Sequence, residues 1–317
     1  MEKTPVIIDC DPGVDDIAAL ILGKQIENLD VKAVTTVAGN VPLRDTTGNA
    51  LKVLSFLRWD IPVGRGAEGP LTRPLETAED IHGKGGMSGL SLPETDRACD
   101  PRPAWDLIYD TAKACPGALD LVATGPLTNV AVALMKYPAL KNLLRRIVIM
   151  GGGIGLGNTT PAAEFNSYVD PEAAKRVFGS GVPFVLCPLN VTHAGYVTEA
   201  ELGEIAALGS KEARFFGSLM GRYLEIGRRY TEGRGAPLHD PMALLFASDD
   251  SYFTSENCFV DVETRGELTR GKTVTDCYCD KKMGRKNGAL VQTVDRERFA
   301  AHVKALLSRY GPTPETH

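Results

Sequence analysis

Short runs rich in valine and isoleucine recur along the chain, and several of them are apolar on both faces. A strand that is apolar on both faces must be covered on both faces, as in a parallel sheet between two layers of helices. The sequence predicts five such strands, at residues 5–11, 31–37, 119–124, 146–150 and 183–187. We therefore predict an α/β fold with a mostly parallel central sheet and helices on both faces.

Amphipathic stretches separate these strands, and several have a proline near the first turn, as helices commonly do. They predict helices at residues 15–24, 49–57, 103–114, 127–135 and 171–178. From about residue 198 the chain is more polar and more helical, with helices predicted at 211–229, 239–247 and 296–309. No linker-like composition divides the chain, so we predict one domain over 1–317 with helical additions in the C-terminal part.

Charge and cysteine content limit which binding partners and which cellular compartment we expect for this protein. The 317 residues carry 35 lysines and arginines against 40 aspartates and glutamates, a formal charge of −5, without a basic run that would favour nucleic acid. No apolar run approaches the roughly 20 residues that span a bilayer, and the amino terminus lacks a signal peptide's apolar region. Seven cysteines without a repeating pattern favour reduced thiols. We expect a cytoplasmic protein that binds small molecules, and neither nucleic acid nor membrane.

Four carboxylates lie within eight residues at the end of the first predicted strand, namely Asp9, Asp11, Asp15 and Asp16. Such a cluster at a buried strand end needs compensation by a cation or a helix dipole. A purely structural interpretation remains open, with Asp11 as a helix N-cap and Pro12 in the first turn. The DxD pair also permits a haloacid-dehalogenase-type phosphatase. That interpretation ranks lower because Pro12 and Gly13 stand where it expects a hydroxyl residue.

Polar residues also follow the other strands, at the edge where an open parallel sheet binds its ligand. Asn40 follows the second strand, and Thr124, before a Gly-Pro pair, has a carbonyl free to meet a ligand. A long glycine-containing loop later carries Asn158 and the run 164–166, which is Glu-Phe-Asn. One carboxylate, two amides and a ring suit a polyhydroxylated sugar with an apolar face. A His-Asp pair at 239–240 begins a later helix. It becomes a candidate for the site only if the fold brings it to the same crevice.

Together these elements resemble the inosine-uridine-type nucleoside hydrolases. The resemblance rests, in chain order, on DCDPGVDDIAAL, the Asn40 loop, VATGPLTNVA, MGGG with the GN and AEFN elements after it, and PLHDPMA. It extends from residue 8 to about residue 247. It implies a parallel α/β sheet, a tightly bound Ca²⁺ ion, and hydrolysis of a ribonucleoside to ribose and free base.

The resemblance assigns a role to each matching residue. It implies that Ca²⁺ is bound by three carboxylates and one backbone carbonyl, those of Asp11, Asp16, Asp240 and Thr124. It implies that Asp15 is the general base and makes His239 the candidate acid for the leaving base. It places the ribose against Asn40, Asn158, Glu164, Phe165 and Asn166.

The residues near the base are less constrained. His82, in a glycine-rich segment, resembles a histidine that family members place beside the base, although a surface-loop histidine is an open alternative. The predicted helix that starts at residue 211 would cover the base, with contacts from Arg222, Tyr223, Ile226, Arg229 and Tyr230. A modified base is suggested by Arg228, Arg229, Arg234 and the pair Phe215-Phe216, although solvated arginines are an open alternative.

Two histidines near the base suggest pyrimidine or mixed specificity. The resemblance also suggests a homodimer or homotetramer. A non-catalytic calcium- and ribose-binding protein on the same scaffold is the alternative to an enzyme.

Overall fold

The structure is a computed structural model that describes residues 3–278 and 285–313, the side chains of 226–230 excepted. Within these residues the strands are β1 (Thr4–Cys10), β2 (Leu29–Thr36), β3 (Val63–Arg65), β4 (Leu119–Ala123), β5 (Leu144–Met150), β6 (Phe184–Cys187), β7 (Tyr196–Val197), β8 (Ala236–Pro237), β9 (Phe253–Val262), β10 (Thr273–Asp276) and β11 (Gly288–Val294).

Nine of these strands form one sheet in the order β10-β9-β11-β6-β5-β4-β1-β2-β3. All neighbours from β3 through to β11 pair in parallel. Only β9 pairs antiparallel, with β11 on one side and β10 on the other. The predicted mostly parallel sheet is therefore confirmed, and each of the five predicted strands is present within one or two residues of its predicted bounds.

The helices alternate with the strands and cover both faces of the sheet. They are α1 (Val14–Gly23), α2 (Leu43–Phe56), α3 (Glu79–His82), α4 (Ala104–Ala114), α5 (Thr128–Lys136), α6 (Phe165–Val169), α7 (Pro171–Phe178), α8 (Leu189–Thr192), α9 (Glu199–Ala206), α10 (Lys211–Tyr230), α11 (His239–Ser248) and α12 (Arg296–Ser308), with a short 3₁₀ turn at Pro138–Asn142. None of the described helices is long and apolar enough to cross a bilayer.

Two hydrophobic clusters lie on opposite faces of the sheet. Successive residues of β1 show the alternation, because Val6 and Ile8 pack into one cluster and Ile7 into the other. The first cluster includes residues of α1, α10, α11 and α12, and the second includes residues of α4, α5 and α7. The two layers hold the sheet rigid, so the loops at its carboxyl edge start from fixed points.

The region after residue 198 contributes more than helices. Three of its segments, β9, β10 and β11, extend the central sheet. The sequence does not predict them because β9 has exposed positions over most of its first half, so it lacks the continuous apolar character of the inner strands. The predicted helix at 49–57 is the C-terminal part of α2, which begins at Leu43.

Candidate active site

A cavity opens at the carboxyl ends of the parallel strands, beside the point where the strand order reverses between β1 and β4. Loops on the two sides of such a point diverge and leave a crevice. Most residues predicted for the site meet here. The lining consists of Asp15, Asn40, Ala78, Ile81, His82, Thr124, Met150, Asn158, Thr159, Glu164, Phe165, Asn166, Tyr223, His239 and Asp240.

Three buried carboxylates form a compact cluster at one end of this cavity. Asp15 and Asp16 lie in the first turn of α1, and Asp240 lies in the first turn of α11. One oxygen from each of the three lies within 4.8 Å of the others. Residues more than two hundred positions apart in the chain therefore supply one acidic site.

Asp11, one of the three carboxylates predicted to bind the metal, is fully buried beside this cluster. Its Oδ2 atom accepts a hydrogen bond of 2.7 Å from the backbone N–H of Asn40. Two glycines make room for it, because a Cβ at Gly39 would lie 2.1 Å from Oδ2 and one at Gly125 would lie 2.6 Å from Oδ1. The helix N-cap is Gly13, so Asp11 is not the cap of α1.

Asp16 is fixed by a network that crosses three loops. Its Oδ2 accepts bonds of 3.1 Å from the Gly13 N–H and from the side-chain amide of Asn40. Its Oδ1 accepts a bond of 2.9 Å from the hydroxyl of Thr124. The Thr124 carbonyl in turn accepts a bond of 2.7 Å from the side-chain amide of Asn166. A carbonyl oxygen has two lone pairs, so this carbonyl retains one for a ligand.

Burial dominates the electrostatics of the cluster. Burial, together with the negative charge of Asp16, raises the pKa of Asp15 to about 7. Burial also raises the pKa of Asp11 and Asp240 well above their usual range, and neighbouring carboxylates add to both shifts. The pKa of Asp16 is raised by burial as well, against the opposing hydrogen bonds described above. The carboxylates thus repel one another in a place that water reaches poorly.

The donor set fits a hard divalent cation. Asp11 Oδ1 and Asp15 Oδ1 are buried oxygens without a hydrogen-bond partner in the described part of the chain. The described lining of the cavity contains no lysine or arginine that would neutralise these carboxylates. Oxygen-only donors of this kind suit Ca²⁺, which takes about 6–8 oxygen ligands.

We expect Gly39→Ala to lower the free energy of unfolding by about 1–3 kcal/mol, the usual cost of forcing extra atoms into a packed region. Its Cβ would overlap Asp11 Oδ2 and lie 2.8 Å from the ring of Pro126. Denaturant unfolding measures the change. Gly48→Ala is the matched control: it lies within α2 with nothing within 4 Å of its Cβ, so alanine there should stabilise by about 0.5–1 kcal/mol. Equal stability of Gly39→Ala and the parent would contradict the close packing.

Glu164 and Asn166 lie on the other side of the cavity, after β5. The Glu164 carboxylate caps α6 and accepts hydrogen bonds of 2.7 Å from Gly152 N–H, 2.8 Å from Asn166 N–H and 3.1 Å from Ser167 N–H. Burial raises its pKa, and these three amide bonds lower it. The Asn166 amide group donates to backbone carbonyls, so its Oδ1 is the atom offered to a ligand. Both residues therefore present oxygen acceptors to hydroxyl groups.

Asn158 and Phe165 complete this side of the lining. Asn158 Oδ1 accepts a bond of 2.9 Å from the Phe165 N–H, which fixes the loop of 151–163 against the start of α6. The half-buried Phe165 ring faces the cavity and adds an apolar surface to the polar groups around it. The sequence-based expectation that an amide and an aromatic ring share this wall agrees with their positions.

The opposite end of the cavity is aromatic. The rings of His82 and Tyr223 lie 6.1 Å apart, and those of Tyr223 and His239 lie 6.3 Å apart. His82 is buried, so its interpretation as a surface-loop histidine is wrong. Its Nδ1 accepts a hydrogen bond of 3.1 Å from the Val14 N–H at the start of α1. Burial lowers the pKa of His82 to about 4.

His239 is placed by the small sheet of β7 and β8. Leu238 donates its N–H to the Gly195 carbonyl, 2.9 Å away, and this brings His239 Nδ1 to 2.7 Å from the Thr192 hydroxyl. An exposed imidazole titrates near neutrality, but His239 is buried. Burial lowers the pKa of His239 well below its usual value, and the rings of His193 and His82 lower it further.

Of the residues that suggested a modified base, those whose side chains the structure describes do not line the cavity. Phe216 is fully buried in the core, and Phe215 packs on Phe56 with ring centroids 5.4 Å apart. Arg234 donates to the Thr231 carbonyl and lies over the Tyr196 ring. Arg222 is exposed and is not part of the cavity lining. Four further residues of α10 lie outside the residues whose side chains are described, namely the predicted contacts Ile226, Arg229 and Tyr230, and Arg228.

Several residues at the site are not predicted from the sequence. Val14 and Thr192 hold the two histidines, and no local pattern distinguishes them from ordinary core residues. Asp9 is fully buried, and its Oδ1 accepts bonds from the Thr35 hydroxyl, at 2.6 Å, and the Asn129 amide, at 2.8 Å. These hydrogen bonds join β1 to β2, which carries Thr35, and to α5, which carries Asn129. The one feature of the sequence that points to this network is Asp9 itself, a carboxylate in an otherwise mostly apolar strand.

Comparison with known proteins identifies close relatives over almost the whole chain. Residues 6–301 match the family described as inosine-uridine preferring nucleoside hydrolase. The chain is 44% identical over 310 residues to the pyrimidine-specific ribonucleoside hydrolase RihA of Salmonella arizonae, covering 97% of this chain and 99% of that one. It is 42% identical to the protein of the same name from Citrobacter koseri, covering 96% of this chain and 98% of the relative.

Solved structures agree with these relatives. A plant nucleoside hydrolase, the PpNRh1 enzyme, superposes with a TM-score of 0.91 at 33% identity, over 96% of this chain and 99% of its own. A purine-preferring ribonucleoside hydrolase from Gardnerella vaginalis superposes with a TM-score of 0.90 at 29% identity, over 96% of this chain and 98% of its own. The similarity in sequence and in fold therefore spans the whole set of loops that forms the cavity.

Proposed function

Because the chain belongs to the inosine-uridine-preferring nucleoside hydrolase family, we propose that its cavity binds Ca²⁺ and a ribonucleoside and releases ribose and the free base, as a step of nucleoside salvage. Membership of the family makes the protein a hydrolase of N-glycosyl bonds. The observation that carries the proposal is the meeting of an acidic cluster, a wall of oxygen acceptors and an aromatic end in one cavity. These three parts match a metal, a ribose and a base in turn.

The ion would be held by the carboxylates of Asp11, Asp16 and Asp240 and by the carbonyl of Thr124. All four residues are buried, and their oxygens are already oriented by hydrogen bonds or packing. Such preorganisation reduces the cost of ordering ligands when the ion binds. Ca²⁺ would supply a positive charge that makes water easier to deprotonate and that attracts sugar hydroxyls.

Asp15 would be the general base. It precedes Asp16 in the first turn of α1, and adjacent helical residues point about 100° apart, so the two carboxylates can serve different partners. Asp15 lines the cavity, whereas Asp16 lies beneath it. A carboxylate placed there can take a proton from the attacking water as the bond to the base breaks.

The ribose would lie between the acidic cluster and the loop after β5. Oxygen acceptors at Asn40, Asn158, Glu164 and Asn166 would bind its hydroxyls, with the Phe165 ring beside them. As the glycosidic bond lengthens, positive charge develops on the sugar, and the surrounding carboxylates and amide oxygens stabilise that charge. These groups are fixed before substrate arrives, so little reorganisation is required during the reaction.

The leaving base would meet His239 at the aromatic end. His239 Nδ1 is engaged by Thr192, which leaves Nε2 as the nitrogen available to a substrate. A donor there stabilises the electron pair that the base retains when the bond breaks. The ring of Tyr223 lies between this histidine and His82, and so would pack against the base.

For the base we propose a pyrimidine, because the named relatives at 42–44% identity are pyrimidine-specific and two histidines line the aromatic end. Incubation with uridine, cytidine, inosine and guanosine, followed by measurement of free ribose, tests the proposal. We expect kcat/KM for uridine or cytidine to exceed that for inosine. Preference for inosine would overturn the pyrimidine assignment while leaving nucleoside hydrolysis intact.

The same panel separates the alternatives. A non-catalytic calcium- and ribose-binding protein would release no ribose although it binds the ion. A phosphatase of the DxD type would release phosphate from phosphate esters and leave nucleosides intact. The chain has a residue for the general base, a set of ligands for the ion and a wall of acceptors for the ribose. This combination favours the hydrolase over the binding protein and over the phosphatase.

Titration calorimetry on chelator-treated protein is expected to show one Ca²⁺ ion bound per chain. Asp240→Asn should weaken that binding at least tenfold, or by about 1.4 kcal/mol, because it removes a negatively charged ligand. Asp170→Asn is the matched control, a buried carboxylate that accepts a bond from Thr128 outside the cavity lining. Equal weakening in both variants would argue against an ion at the acidic cluster.

We also propose that the chain acts as one domain, since its site draws on residues from 11 to 240, and that it assembles as a homodimer or homotetramer. Light scattering after size-exclusion chromatography measures the assembly, and a monomer would contradict it. A reducing cytoplasm is the proposed location. No disulfide joins the cysteines of the described residues, in agreement with that environment.

A further inference from the structure

His82 makes a contact that fixes where its ring proton lies. The backbone N–H of Val14 is 3.1 Å from His82 Nδ1, and a backbone N–H can only donate. Nδ1 must therefore present a lone pair. In a neutral imidazole the single proton then resides on Nε2, and a second proton on Nδ1 would point at the Val14 N–H.

The surroundings of the ring support this assignment. Asp15 is the nearby group that would attract a proton on Nδ1, but its Oδ1 lies 3.8 Å away, beyond hydrogen-bond distance. Gly13 is what allows the close approach, because a Cβ there would lie 2.5 Å from Nδ1. The imidazole is thus seated on the start of α1, the helix that also carries the general base.

We propose that Val14 holds His82 as the Nε2–H tautomer, so that His82 donates a hydrogen bond to an acceptor atom of the base and does not transfer its proton. This inference rests on the proposed function, in which His82 faces the base. The substrate it selects is a nucleoside whose base offers an acceptor at that point, such as the O2 carbonyl shared by uracil and cytosine.

The donor acts on the transition state. As the bond from N1 to the sugar breaks, its electron pair stays with the base, and part of that negative charge spreads onto O2. A hydrogen bond to O2 therefore strengthens as the reaction proceeds, and this lowers the barrier. His82 keeps its proton throughout. The hydroxide of the attacking water bonds to the sugar, the proton of that water goes to Asp15, and the base departs as its anion or accepts a proton from another group.

Three substitutions separate donor, acid and structural roles. His82→Gln keeps an N–H near the position of Nε2 but has no acidic proton. His82→Asn keeps an acceptor for the Val14 N–H in place of Nδ1 and loses the distant donor. His82→Leu loses both. On uridine we expect kcat/KM to fall less than tenfold for the glutamine variant and about 100-fold for the other two.

A second substrate locates the effect. In 4-nitrophenyl β-D-ribofuranoside the nitrophenolate leaves without a hydrogen bond, so all three variants should hydrolyse it at rates within about threefold of the parent. A glutamine variant as slow as the leucine variant on uridine would make His82 an acid. An asparagine variant as active as the parent would reduce its role to docking on Val14. Equal losses on both substrates would place its action on the sugar or on Asp15. Each of these three results overturns the proposal.

A spectroscopic measurement tests the tautomer without relying on activity. Two-bond ¹H–¹⁵N correlation spectra of protein labelled at histidine distinguish Nε2–H from Nδ1–H rings, and the His82→Gln variant identifies the His82 signals. We expect the Nε2–H pattern at neutral pH, and an Nδ1–H or doubly protonated ring would overturn the proposal. A protein that hydrolyses no nucleoside but shows the Nε2–H pattern would refute the proposed function and leave the tautomer assignment standing.

Discussion

Asp15→Asn is expected to lower kcat for uridine by about three orders of magnitude, within the 10²–10⁴ range that a general base contributes. Asparagine fills the same volume and cannot take a proton from water. Steady-state kinetics with uridine measure the loss, and KM should change little because Asp15 is assigned no contact that holds the substrate in the ground state.

Calcium affinity decides whether Asp15 acts as a base or as a ligand, since its oxygen lies within 4.8 Å of those of Asp16 and Asp240. For Asp15→Asn we expect the Kd for Ca²⁺ to change less than about tenfold, equivalent to 1.4 kcal/mol. Activity restored by excess Ca²⁺ would instead make Asp15 a metal ligand. Asp80→Asn, an exposed carboxylate in α3, controls for the loss of one negative charge.

Replacing uridine by 2′-deoxyuridine is expected to lower kcat/KM by about 10⁴ or more, as for sites built to bind a hydroxyl that the analogue lacks. The ribose wall consists of fixed acceptors on Glu164 and Asn166, and the acidic cluster adds an ion that binds hydroxyls. Without the hydroxyl these buried groups lose a partner, and the analogue does not compensate for that loss.

The comparison needs both nucleosides at equal enzyme concentration with free sugar as the readout. A 5′-deoxyuridine control should retain far more activity if the acidic cluster binds the hydroxyls next to the anomeric carbon. A kcat/KM for 2′-deoxyuridine close to that for uridine would contradict the placement of the ribose against the ion. Such a result would leave the chain's family membership unaffected.

The sheet can be predicted because its inner strands are short and apolar at nearly every position. In β1 the burial of Val6, Ile7 and Ile8 on alternating faces leaves a simple pattern in the sequence. The strand β9 is exposed over most of its first half and carries no such pattern. The first turns of α2 are also missed, because Thr46 and Thr47 are poor helix formers that are retained by burial, Thr47 through a 2.8 Å bond to the Thr36 hydroxyl.

The residues that carry chemistry can be predicted, whereas those that orient them cannot. Asp15, Asp240 and Glu164 are recognisable in the sequence because they are charged residues beside buried strands or helix starts. A charge in such a place is costly unless a partner or a ligand compensates it. The contact of Val14 with His82 joins residues 68 apart, and that of Thr192 with His239 joins residues 47 apart. Neither contact leaves a local trace in the sequence, since each depends on how loops pack at the carboxyl edge of the sheet.

The most direct measurement is the release of ribose from uridine by chelator-treated protein before and after addition of Ca²⁺. The account predicts negligible release without the ion and equal amounts of ribose and uracil once one equivalent of Ca²⁺ is bound. Intact uridine after incubation with folded protein that calorimetry shows to hold Ca²⁺ would contradict it. Undiminished release from protein shown to be free of metal would contradict the role of the ion.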